Sequence, residues 1–207
     1  MRILQFILDT IVPPDPMVRA IEAMSKEDFL GKAGAVAPEG MAPGIASFFP
    51  YRNEVVRTAL VELKSRRHPK IATLLGAALF DRLLPFADGR PLLVPIPMTR
   101  KKTRDRGWNQ CELLVAAIAA CDAGEKFEAR TDVLVKVREN EDQVGMGRAE
   151  RFENLRGCFA VADPEQVRGR NVIVLDDIAT TGATLVEARR ALEQAGARRI
   201  VLASAAH

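Results

Sequence analysis

The chain has 207 residues, of which 48% are hydrophobic and 28% charged, with a net charge of +3. That composition fits a soluble globular protein of one domain, with or without an appendage. The small positive charge permits an anionic ligand without demanding nucleic acid. Three dispersed cysteines (Cys111, Cys121 and Cys158) and two histidines (His68 and His207) exclude a structural zinc site, which needs about four ligands in close pairs. They also argue against a disulfide framework and for a reducing, cytoplasmic setting.

In chain order, the apolar stretch before Asp9 is too short for a signal segment and far too short to span a bilayer. Residues 2–12 and 16–30 read as two short helices separated by Pro13, Pro14 and Pro16. Residues 31–44 contain ten Gly, Ala or Pro among fourteen and read as a linker. Val56, Ala59, Leu60 and Leu63 recur at helical spacing over 52–64, and a second helix is expected over 70–84. Residues 91–97 read as a strand running into a proline-closed loop, 109–121 as a helix with Asn109 as its N-cap, and 132–137 as a strand. Residues 138–156 hold nine charged residues in nineteen and suit a loop. The end of the chain reads as strand 172–175, helix 184–195 stopped by Gly196, and strand 200–205. These last strands are apolar without alternation, as both-faces-buried parallel strands are. The expected class is α/β, a parallel sheet flanked by helices, with residues 1–50 as a helical N-terminal segment and linker and 51–207 as the main domain.

The stretch VIVLDDIATTGAT (172–184) carries the most chemistry. Asp176 and Asp177 stand at the carboxyl end of a strand, where ligands bind in open α/β sheets. The following turn, Ala179, Thr180, Thr181, Gly182, Ala183 and Thr184, opens a helix. Successive backbone N–H groups there form an anion nest, the helix N-terminus adds positive partial charge, and the hydroxyls add donors. That suits a phosphate monoester. The carboxylates would repel phosphate and instead suit sugar hydroxyls and a hydrated Mg²⁺ nearby. The combination describes a ribose 5-phosphate site.

This stretch resembles the signature of type I phosphoribosyltransferases for phosphoribosyl pyrophosphate (PRPP). VPIPMTRKKTRDRGWNQCELL (94–114) and QVGMGRAERFENLRGCF (143–159) resemble two further blocks of the ComF family, with Trp108 where that family usually has phenylalanine. YRNEVVRTALVELKSRR (51–67) resembles its helix-and-lysine segment more loosely. ComF relatives commonly open with a helix, two prolines and a zinc ribbon. Here Pro16 and Arg19 occupy the expected ligand positions, so the ribbon is lost or replaced.

The resemblance implies a type I phosphoribosyltransferase-like fold that binds PRPP with Mg²⁺, through Asp176 and Asp177 and by way of water and ribose hydroxyls. It implies transfer of phosphoribosyl to an unknown acceptor with release of pyrophosphate. Such a reaction needs cations for the leaving group and exclusion of water. The basic run after the strand at 91–97 offers Arg100, Arg104 and Arg106, with Asn109, for pyrophosphate. Gln143, Arg148 and Arg151 fit a closing lid that takes part in catalysis. Two other readings stand beside this one: a PRPP sensor without turnover, and an accessory factor for single-stranded DNA uptake in competence. The DNA reading is weakened by an aromatic content of 5%. A glutamine-hydrolysing activity is excluded by the lack of cysteine in residues 1–50. Relatives of this fold often form homodimers.

Overall fold

A computed structural model of the chain describes residues 15–36, 44–138 and 153–207. The helix expected over 2–12 and the lid residues Gln143, Arg148 and Arg151 lie outside them. The N-terminal part gives two helices, α1 (Pro16–Glu22) and α2 (Lys26–Ala33), rather than one over 16–30. The break is local chemistry. Pro16 sits at the start of α1 behind Asp15, whose side chain accepts from the Met17 amide. Ser25 then opens α2 with a capping box to Asp28.

β1 (Ile45–Phe49) was not anticipated, although it lies on the N-terminal side of the division at residue 50. Next come α3 (Glu54–Arg66), α4 (Pro69–Leu83) and β2 (Leu92–Pro95). The segment after β2, expected as a loop, is a short helix, α5 (Arg100–Arg106). Its dense positive charge disguised it. Thr99 caps its start by accepting from the Lys102 amide, and Gly107, at φ 86°, ends it. α6 (Gln110–Asp122) follows, with Asn109 as its cap as expected. β3 (Glu128–Ala129), β4 (Leu134–Lys136), β5 (Phe159–Val161), β6 (Asn171–Ile178), α7 (Ala183–Gln194) and β7 (Arg199–Ala206) complete the described strands and α-helices.

The main sheet is parallel, with strand order β1-β7-β6-β2-β3. β4 pairs antiparallel with β5 in a separate ribbon, so the strand expected over 132–137 does not join the sheet. Alternation along the central strands sorts the core into two layers. Leu93, Ile173, Leu175 and Ala203 pack with α1–α4 and most of α6 on one face. Leu92, Val94, Val172, Val174 and Leu202 pack with α7 and the ribbon on the other. The helix faces read from the sequence are buried: Val56, Ala59, Leu60 and Leu63 on α3, and Leu185, Ala188 and Leu192 on α7.

The order of strands creates the site. From β2 the chain crosses to β3 on one side, and from β6 it crosses to β7 on the other, yet β2 and β6 are neighbours. Their connections therefore part company and leave a crevice beyond the carboxyl ends of β2 and β6, where open α/β sheets bind ligands.

Candidate functional site

The turn after β6 opens a helix at a glycine beside two carboxylates. β6 runs through both carboxylates to Ile178, three residues further than the expected strand. The Ala179 amide still donates to Ala206 O at 2.9 Å, and His207 Nδ1 lies 2.5 Å from Ala179 O. Gly182 then takes φ 76° as the N-cap of α7, a conformation a glycine adopts without the clash a Cβ would bring. Gly182 has no side chain to cap the helix. Thr181 Oγ1 accepts only a long bond, 3.4 Å, from the Ala183 amide. The amides opening α7 therefore face the narrow hollow lined by Asp176, Thr180, Thr181, Gly182 and Thr184. Ala179 and Ala183, both buried, line it as well.

Asp176 is only 9% exposed and Asp177 is half-buried. Burial, then the adjacent Asp177 charge, then a hydrogen bond between the two carboxyls push Asp176 well above the usual carboxylate range. Cys111 Sγ lies 3.5 Å from Asp176 Oδ1, and burial followed by the two carboxylate charges pushes its thiol up as well. One oxygen from each carboxylate and the Cys111 sulfur lie within 4.8 Å of one another. With the thiol held protonated, the donors on offer are carboxylate oxygens. They suit a hard cation held chiefly by ligand oxygens and water, and not a soft metal.

A side-chain relay reaches Asp177 from α5. Arg106 donates through one guanidinium nitrogen to Gln110 Oε1 at 2.6 Å, and Gln110 Nε2 donates to Asp177 Oδ2 at 3.0 Å. Arginine has no acceptor, so the amide is oriented with its nitrogen toward the carboxylate. Asp177 Oδ1 accepts from the Ile178 amide at 2.9 Å.

The residues expected at pyrophosphate are not gathered in one place. Arg106 is half-buried and tied to the acidic pair through Gln110. Arg100 and Arg104 are exposed on α5, and Arg100 lines a groove of about 620 Å³ between Pro97–Arg100 and the ribbon residues Leu134–Val137. Asn109 is 1% exposed. Its oxygen caps α6 at the Cys111 amide, while its nitrogen donates to Ile96 O and Glu112 Oε1. That fixes the loop after β2 against the start of α6, a positioning task.

Three contacts around the turn are not evident from the sequence pattern: Gln110, Cys111 and His207. The first two stood inside the quoted RGWNQCELL block. Their place in the first turn behind an N-cap, at the ligand end of the sheet, was the available signal.

The Phosphoribosyl transferase domain family model matches residues 115–206. The chain is 30% identical over 141 residues to the DNA utilization protein YhgH of Salmonella typhi, covering 66% of this chain and 60% of that protein. It is 29% identical over 147 residues to the Competence protein ComFC of Bacillus subtilis, covering 70% of this chain and 56% of that one. The chain thus spans less than two thirds of either relative. A phosphoribosyltransferase structure from Corynebacterium diphtheriae aligns at 21% identity and a TM-score of 0.42, over 73% of this chain and 77% of that one. The chain thus resembles ComFC and YhgH proteins, and its C-terminal part matches the Phosphoribosyl transferase domain.

Proposed function

We propose that this protein binds PRPP at the end of β6 and transfers its phosphoribosyl group to a nitrogen acceptor, releasing pyrophosphate. The observation that carries this reading is the glycine-opened turn of α7 beside the buried Asp176 and half-buried Asp177. The amides and the hydroxyls of Thr180, Thr181 and Thr184 would hold the 5-phosphate. Asp176 and Asp177 would accept the ribose hydroxyls. Arg106, held by Gln110, would face the negative charge that grows on the departing pyrophosphate. Mg²⁺ would neutralise charge on the phosphate oxygens, with the two carboxylates orienting it through water.

The experiment is a pyrophosphate-release assay with PRPP, Mg²⁺ and a panel of nucleobases and amines. The expected result is release with at least one acceptor, abolished by Asp177→Asn. PRPP binding with no release under any acceptor would replace transfer by a sensing role. A part in single-stranded DNA handling is a second reading, favoured by the names of the relatives; it would place the protein in the cytoplasm, on the path of incoming DNA. No described helix is long and apolar enough to cross a membrane.

A further inference from the structure

α5 divides the chain's basic run between two clefts. Arg100 turns to the groove against the ribbon, while Lys102 and Arg106 line a second cleft of about 510 Å³ against the end of α3. Lys64, Ser65, Asp105 and Trp108 complete that second lining. Three cations against one carboxylate leave it positive. Its volume lies within the range of small-molecule sites, about 300–1,000 Å³.

Trp108 is anchored there for a clear reason. Leu63 O belongs to the last turn of α3, whose carbonyls have no partner further along the helix. The Trp108 indole N–H donates to it at 3.1 Å. The ring, half-buried, is thereby held as one wall of the cleft, with Lys64 and Ser65 immediately beyond Leu63. A fixed aromatic wall beside a cluster of cations matches a ligand that is half planar base and half phosphate. The cleft is also wired to the acidic pair, because Arg106 lines it and reaches Asp177 through Gln110.

We infer that the cleft between the end of α3 and α5 is a second ligand site, taking a nucleoside monophosphate. Its phosphate meets Lys64, Lys102 and Arg106, and its base lies against Trp108. The site deepens the reading given above, since it adjoins the proposed PRPP site, but it can be tested apart from it.

Trp108 is the chain's only tryptophan, so its emission reports on this cleft. The full chain is titrated with AMP, dTMP, adenosine, inorganic pyrophosphate and oligothymidylate while that emission is followed. The expected result is a saturable change with AMP or dTMP, with adenosine and pyrophosphate each binding at least tenfold more weakly. Lys64→Ala and Lys102→Ala should each weaken nucleotide binding about tenfold, as loss of a charge-assisted contact does. PRPP binding to Lys64→Ala, followed by calorimetry, should stay within about threefold of the parent, a difference under 1 kcal/mol. No saturable change with either nucleotide overturns the inference. So does pyrophosphate binding as tightly as AMP, or oligothymidylate binding where mononucleotides do not. Loss of PRPP binding with the nucleotide signal intact would overturn the PRPP reading alone.

Discussion

Asp176→Asn should make the ligand-free protein more stable at neutral pH. Asp176 is buried and shares a hydrogen bond with a second carboxyl, so its ionised form is disfavoured in the folded state. The folded protein therefore holds the Asp176 proton more tightly than the unfolded chain does. The stabilisation this group gives is complete below the ordinary carboxylate range, near pH 4, and is lost as pH rises through its elevated folded value. Each tenfold rise in proton affinity corresponds to about 1.4 kcal/mol lost at higher pH. In a chain of this size that is roughly 3–6 °C in Tm. Asparagine keeps the acceptor for Cys111 and for the Asp177 amide, and its own N–H can replace the bond that protonated Asp176 makes to Asp177. Thermal unfolding of parent and variant from pH 4 to pH 8 tests this. The variant should melt higher at pH 7–8, and the gap should close toward pH 4. A variant that melts lower at pH 7–8, or a gap that does not change with pH, would refute the reasoning.

Three other outcomes follow from particular contacts. Gly76→Ala should destabilise the protein by about 1–3 kcal/mol despite better helix propensity. A Cβ there would lie 2.4 Å from Ala117 Cβ and 2.8 Å from its backbone carbon, where α4 crosses α6, and denaturant titration would read the loss. Gln110→Ala removes the donor to Asp177 Oδ2 and releases Arg106, so PRPP affinity measured by calorimetry should fall about tenfold, with Tm nearly unchanged. Arg106→Ala should weaken pyrophosphate binding more than ribose 5-phosphate binding; equal losses would remove Arg106 from the pyrophosphate role.

The sequence was most legible where periodicity and punctuation agree. The strand–turn–helix over 171–194 combines an apolar run, a glycine needing positive φ and a helical stripe, and each feature has one physical reading. Asn109 as a cap was equally clear. β1 was hidden because Ile45–Phe49 follows a stretch rich in Gly, Ala and Pro, and its pairing with β7 is a contact across the whole chain. β3 has two residues and no pattern to read. α5 looked like a loop because its charges repel, yet Thr99 and Gly107 supply both its ends. The relay from Arg106 to Asp177 could not be seen, since it depends on β2 and β6 being neighbours, which sequence order does not reveal.

Binding of PRPP by the β6–α7 turn and its acidic pair is the proposal on which the others depend. The most direct test is calorimetric titration with PRPP, with and without Mg²⁺, on the parent and on Asp176→Asn/Asp177→Asn. The expected result is saturable, Mg²⁺-strengthened binding to the parent and none to a double variant that remains folded. No binding to the folded parent, or equal binding by both proteins, would contradict it.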